Sequence, residues 1–378
     1  TNGLQENTIL CISSDNKETI WAGTFGGEII ALDKRTGKFT TIKRNRPASH
    51  KVVKASISSI YFDNDRVLWV STQGEGLFAL HTITGNYVIY KNDPLDIHSI
   101  RNNSISRVYE DRSGVFWVGT MGGCLSLFDK KSGKISVYKN NPYDSTSLCN
   151  NNINAIFEGN EGQIWVGTSG GGISALNRKS GKFIHYKNNP SDKNSVNDNN
   201  IGSIYEDKKS ILWVGTNGGG LNVKENNSNH FRKFQNNSSD NNSISLGSIK
   251  VLYEDRQGTI WIGMRGTALN SLDKENMRFK KYSYDPRFNN NLSNYNFRSI
   301  FEDKKGMLWI GTKGGGLYML DKERDRFTVY KNEATDAYSL NNNNIMAIYQ
   351  DEINILWLGT FGGGLNAMVN DIDGKKKF

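Results

Sequence analysis

The chain has little proline, cysteine or histidine: 5, 3 and 5 residues of 378. Each scarcity excludes something. Cys11, Cys124 and Cys149 stand at three unrelated positions without metal-ligand spacing, which excludes a disulfide framework and a cysteine-based metal site. His50 and His98 are one pair from which a metal or pH-responsive site could start, but no carboxylate lies at ligand spacing, so no metal and no cofactor is expected. No apolar run approaches the roughly 18 residues of a membrane-spanning helix. The start of the chain also lacks the charged-then-apolar order of a secretory signal, so such a leader would lie upstream or have been removed.

What is present is a repeat. All eight tryptophans, Trp21, Trp69, Trp117, Trp165, Trp213, Trp261, Trp309 and Trp357, are spaced 48 residues apart. A period of about 40 to 50 residues marks a solenoid or a propeller. Within the fourth unit, apolar runs rich in β-branched and aromatic residues alternate with Gly, Asn and Asp turn signals, which predicts four short strands: A, residues 153–158; B, 164–168; C, 173–176; D, 182–187. There is no room for a helix. Four such strands cannot bury both sheet faces without neighbours, and radial stacking supplies them. The expected fold is all-β, one β-propeller domain over residues 1–378 with eight four-stranded antiparallel blades. A seven-bladed ring with an extra repeat stays open. The last unit ends one residue out of register in Gly374-Lys375-Lys376-Lys377-Phe378, so its strand D is expected to be incomplete, with closure using those last residues imperfectly or sequence outside this chain.

Pro94, Pro142, Pro190 and Pro286 fall 25 residues after a tryptophan, with Pro47 one residue out of phase, and mark the crossover between units. The net charge of +9 raises the question of nucleic acid. Phase argues against it: Lys43, Lys91, Lys139, Lys187 and Lys331 all lie 22 residues after a tryptophan, on the outer strand, where lysine blocks edge-to-edge pairing. Glu110-Asp111, Glu206-Asp207, Glu254-Asp255 and Glu302-Asp303 precede a turn and read as turn-capping carboxylates. The Gly triplets after strand B permit tight turns and close approach and are no phosphate loop, since no helix follows them.

The run Ile-x-x-Ile-Tyr-Glu-Asp-x-x-Gly-x-Leu-Trp-Val-Gly-Thr-x-Gly-Gly-Gly-Leu, visible over residues 105–125, 153–173, 201–221 and 345–365, closely resembles the two-component regulator propeller repeat. The resemblance covers essentially the whole chain. It implies an extracytoplasmic sensor region, periplasmic or at the cell surface, of a membrane-anchored histidine kinase or hybrid regulator, in several cases responding to oligosaccharides. An output signalling domain elsewhere in the parent chain is implied as a partner, and a homodimer stays open. This chain has no kinase, cyclase or DNA-binding segment, so the output itself is not legible.

If the constant positions are scaffold, a site belongs where the frame varies. Four residues after each tryptophan the sequence reads Phe25, Gln73, Met121, Ser169, Asn217, Arg265, Lys313, Phe361; eleven before, it reads Leu10, Ser58, Ser106, Asn154, Gly202, Lys250, Arg298, Met346. In a meander blade both phases emerge on one face, so they are expected to line one mouth of the propeller. There Lys250, Arg265, Arg298 and Lys313 form a basic arc beside Phe361 and Phe25, with Tyr295 extending the aromatic surface. Such an arc suits an anionic, ring-containing ligand such as a uronate or sulfated oligosaccharide, with arginine offering bidentate contacts to carboxylate. The bland alternative is a set of solvated loop residues. For catalysis the weak candidates are Glu28 and Glu75, which replace triplet glycines and would need to stand roughly 5 to 10 Å apart as a glycosidase pair. A lyase would draw on Tyr295, Arg298 and Arg265. The reading is thus a non-enzymatic binding propeller, with a carbohydrate-active enzyme and a protein-interaction scaffold as alternatives.

Overall fold

Residues 6–15, 18–42, 55–63, 65–130, 132–226, 228–282, 284–285, 290–291, 296–370 and 376–378 are described by the structure, a computed structural model. Among them there is no helix, and the strands fall into eight consecutive antiparallel groups of four, with one further two-stranded pair, Tyr284–Asp285 and Asn290–Asn291. Blade 4 is typical: Ile153–Glu158, Ile164–Thr168, Ile173–Asn177 and Lys182–Tyr186, in sequential order, matching the expected boundaries to one residue. Blades 6 and 7 are joined into one sheet where Arg265 pairs with Asn296. In blade 8 the fourth strand is Lys376–Lys377, so the expected shortfall takes the form of a two-residue strand.

By backbone proximity the chain forms two compact units. One is Thr1–Lys91 with Asn103–Ile105 and Phe301–Phe378; the other is Asn92–Asn102 with Ser106–Ile300. In both, the same three devices hold blade to blade. The first is the indole: Trp213 is fully buried and packs with Ile249, Ile260 and Ile262 of the following blade. The second is the glycine of Trp-x-Gly-Thr. A Cβ on Gly119 would sit 2.7 Å from Ile153 of the next blade, and one on Gly359 would sit 2.8 Å from Ile9, so this glycine is required by close approach. The third is the aspartate six residues before the tryptophan. Asp207 Oδ1 accepts the Lys209 and Ile211 amides at 2.9 and 3.0 Å, and Oδ2 accepts Trp213 Nε1 at 3.1 Å and Lys274 Nζ of the next blade at 3.0 Å. Burial alone would raise this carboxyl, but the lysine, the amide and the indole together hold it below its ordinary value. The turn-capping reading holds for these aspartates, with an added role as anchor of the indole.

The outer-edge lysines Lys91, Lys139, Lys187 and Lys331 are exposed one residue beyond the fourth strands, which end at Tyr90, Tyr138, Tyr186 and Tyr330. Lys43 lies outside the described residues.

Candidate functional site

Two backbone features create the variable positions. In blades 1, 2, 4, 5, 6 and 8 the pairing of strands A and B skips a residue, between Ile153 and Ala155 in blade 4 and between Ile249 and Val251 in blade 6. The skipped residue is the one eleven before the tryptophan. A β-bulge leaves its extra residue out of the ladder and re-aims its side chain, so this position is free to vary without cost to the sheet. Ser58 and Asn154 use it to bond the Ile105 and Ile201 carbonyls at 3.0 and 2.9 Å. The residue four after the tryptophan is fixed in the opposite sense. Its amide bonds a carbonyl at the head of its own blade, as Phe25 to Thr8, Ser169 to Asn152 and Phe361 to Asn344, at 2.9 to 3.0 Å, while Phe25, Gln73, Met121, Arg265, Lys313 and Phe361 expose their side chains. A rigid main chain carrying an exposed, variable side chain is a sound mount for recognition.

Blade 6 departs furthest from the frame. The buried threonine that closes the B-to-C turn elsewhere, as Thr168 Oγ1 to the Gly172 carbonyl at 2.9 Å, is Met264 here. Both strands run on, so that Ser248 pairs with Arg265 and Arg265 pairs with Asn296. This register sets Arg265 between the strand bearing Lys250 (Ser248–Glu254) and the strand bearing Arg298 (Asn296–Glu302). Lys250 Nζ donates to Asn217 Oδ1 at 2.7 Å, which brings the two variable phases into contact. Burial first, then the charges of Arg265, Arg298 and Arg107, lowers the Lys250 ammonium below its ordinary 10.5. Arg107 is exposed, and desolvation by the protein beside it lowers its guanidinium too. Its one hydrogen bond to protein here goes from Nη1 to the adjacent Ser106 carbonyl at 2.9 Å. Among the described residues no carboxylate forms an ion pair with any of these four cations.

Arg107 was not among the sequence candidates. It stands ten residues before its tryptophan, where the other blades carry Cys11, Ser59, Ala155, Ser203, Val251, Ser299 and Ala347. A lone arginine in a row of small residues was the signal, one residue away from the phase inspected.

The remaining candidates lie as follows. Phe25 and Phe361 are exposed, with ring centroids 6.1 Å apart and planes at 59°, on adjacent blades whose edges pair at Thr8 and Phe361. Lys313 ends its strand exposed and pairs with Asn344. Tyr295 and His50 lie outside the described residues, and His98 Nδ1 is 3.3 Å from the Ile135 carbonyl. Glu75 is held by Lys91 at 2.8 Å, and Glu28 has one carboxylate oxygen buried without a hydrogen-bond partner. The Glu28 and Glu75 amides each bond the turn threonine, at 2.8 and 3.0 Å, which gives both residues a part in the turn.

Consecutive four-stranded antiparallel blades on a constant period define a β-propeller. Six stretches, 99–122, 147–170, 195–218, 243–266, 291–314 and 339–362, match the model of the two component regulator propeller, and the chain belongs to that repeat family. Among solved structures, the extracellular domain of the putative hybrid two component system BT3049 from B. thetaiotaomicron aligns at 18% identity over 100% of this chain and 65% of that one, with a TM-score of 0.37. The chain spans 65%, 59% and 57% of the three extracellular domains of this kind that it matches. The Dos1 propeller aligns at 14% identity over 96% of this chain and 92% of that one, with a TM-score of 0.66. The computationally designed Ika8 protein gives 12% identity, 96% coverage of both chains and a TM-score of 0.65. The likeness to the Dos1 propeller and to Ika8 is one of fold. No curated protein sequence matches the chain.

Proposed function

We propose that this propeller is the ligand-recognition part of an extracytoplasmic sensor of the two-component type, and that it takes an anionic oligosaccharide on Lys250, Arg265, Arg298 and Arg107. The observation that carries the reading is Lys250 with the charges of Arg265, Arg298 and Arg107 acting on it and, among the described residues, no carboxylate paired with any of the four. An arrangement that weakens a lysine by burial and like charge is a functional-site signature, and an anion relieves it. Guanidinium forks match carboxylate and sulfate oxygens, which favours uronic or sulfated sugars over neutral ones. Family membership supports the sensor role and the extracytoplasmic location.

Calorimetric titration with neutral, uronic and sulfated oligosaccharides, followed by recovery of the ligand, tests this. Charged sugars bind and are recovered intact, neutral ones do not bind, and Arg298→Ala or Arg265→Ala weakens binding at least about tenfold, the loss of a charge-assisted contact. Silence across the charged panel, or binding indifferent to both arginines, removes the reading in favour of a protein-interaction scaffold. Cleaved product that vanishes with Glu28→Gln or Glu75→Gln would instead make the chain an enzyme.

A further inference from the structure

The outer rim of blade 3 differs from those of four other blades. In blades 4, 5, 6 and 8 the crossover is sealed to the outer strand by a backbone bond: the amides of Phe183, Phe231, Phe279 and Phe378 donate to the Thr146, Asn194, Asn242 and Tyr338 carbonyls at 2.7 to 3.0 Å. Blade 3 has Ile135 in place of that phenylalanine, and its amide makes no such bond to His98. The His98 imidazole alone reaches the Ile135 carbonyl, at 3.3 Å. A groove of about 640 Å³ opens there, lined by Ile97, His98, Arg101, Lys139 and one side of the outer strand Ile135–Tyr138.

Three properties of this groove choose its occupant. The strand Ile135–Tyr138 is the last of its sheet, and the His98 contact shows that Ile135 turns its carbonyl outward; by the two-residue period Val137 does the same, so both present amide and carbonyl to the groove. The charge is of one sign. Arg101 is steered to the groove by bonds to the Asp96 and Ile97 carbonyls at 3.3 and 2.8 Å, Lys139 lines the same space, and among the described residues no carboxylate does. The Asp93 and Asp96 carboxylates of the same crossover are turned away, accepting the Leu95 and His98 amides at 2.9 and 2.8 Å. Finally this crossover is apolar at two exposed positions, Leu95 at 95% and Ile97 at 70%, where the crossover into blade 5 carries Ser191 and Lys193.

We propose that the rim of blade 3 is a docking site for an extended acidic segment of a partner protein, which adds to the edge of Ile135–Tyr138 as a fifth strand. Main-chain bonds to Ile135 and Val137 supply affinity, alternate apolar side chains of the segment enter the groove against Ile97, and acidic residues flanking them meet Arg101 and Lys139. The His98 ring, which contacts the Ile135 carbonyl, must swing aside.

A short peptide alternating valine and glutamate, and the same peptide N-methylated on alternate amides, are titrated into the protein by fluorescence anisotropy, with amide exchange read in parallel. The unmethylated peptide binds and slows exchange at Ile135 and Val137. N-methylation abolishes binding, Val137→Pro removes an outward donor and does the same, and the double variant Arg101→Glu, Lys139→Glu weakens it at least about tenfold. The double variant gives up the Arg101 bonds to the Asp96 and Ile97 carbonyls but no bond of the sheet, and carries the test if the proline variant does not fold. No binding, binding that survives N-methylation, protection elsewhere on the molecule, or occupation of the groove by a sulfated sugar instead overturns the proposal. None of these residues belongs to the Lys250 and Arg298 cluster, so the two readings fail separately.

Discussion

At Lys250 the cost of a charge is set by its surroundings, and that gives a pH signature. Burial and three guanidinium neighbours lower its folded value below 10.5, so the unfolded chain holds this proton more tightly than the fold does. Stability therefore rises with pH between the folded value and 10.5, and the penalty is full below that window. Lys250→Met is expected to raise the melting temperature at neutral pH, with the gain shrinking as the pH approaches 10.5. A melting series of the two proteins checks it. An anion in the site acts in the opposite sense by restoring the proton, so ligand affinity falls as the pH climbs through the same window. Three of the four cations were legible from phase alone, since only blades 6 and 7 place bases at the two variable positions. Arg107 was not, because its approach to Lys250 is a matter of tertiary distance between non-consecutive blades.

Elements were legible because their period is strict. The strand boundaries of blade 4 follow from β-branched runs between turn residues, and the fold places them within a residue of expectation. The bulge was hidden, since a skipped pairing leaves no compositional mark; only the variability of its side chain betrayed it. The glycines after strand B also separate into two kinds. Gly220 has φ of +100°, and a Cβ there would collide with the Phe234 carbonyl of the outer strand. Gly170 has φ of +87° with open space around it. Gly170→Ala is therefore expected to cost only backbone strain, about 1 kcal/mol, and Gly220→Ala about 2 to 3 kcal/mol, strain plus displacement of a strand. Denaturant unfolding of the pair separates the contributions, and equal losses would mean that the outer strand yields freely.

Across the molecule, blades 8 and 1 are not consecutive in the sequence, so no crossover joins them; the Gly362 and Gly364 amides bond the Asn7 carbonyl at 3.2 and 2.7 Å, and side chains supply the rest. Those side chains repeat the interior pattern. Arg178 reaches Asp111 at 2.7 Å and Lys274 reaches Asp207 at 3.0 Å, each from one blade to the one before it, and Lys34 of blade 1 reaches Asp351 of blade 8 at 3.7 Å and Glu352 at 3.3 Å. Ile20 and Leu32 share a core with Trp357 across the same junction. Asp351 also accepts the Trp357 indole at 3.0 Å and is fully buried in its side chain, so removing the lysine leaves a carboxylate that still holds its own blade but no longer grips the next. Lys274→Met leaves blades 5 and 6 tethered by the chain, and any opening there closes quickly. Lys34→Met leaves an edge held by the Asn7 backbone bonds and the apolar core, with no crossover beside it. The two substitutions are expected to lower the melting temperature by similar amounts, a few degrees for a loss of about 1 to 2 kcal/mol in a protein of this size. Only Lys34→Met is expected to speed amide exchange selectively in Ile9–Ser14 and Leu365–Asn370, because sub-global opening begins where cooperativity is weakest. Uniform exchange in both variants would mean that the shared apolar core, with Gly359 against Ile9, closes the junction without the ion pair.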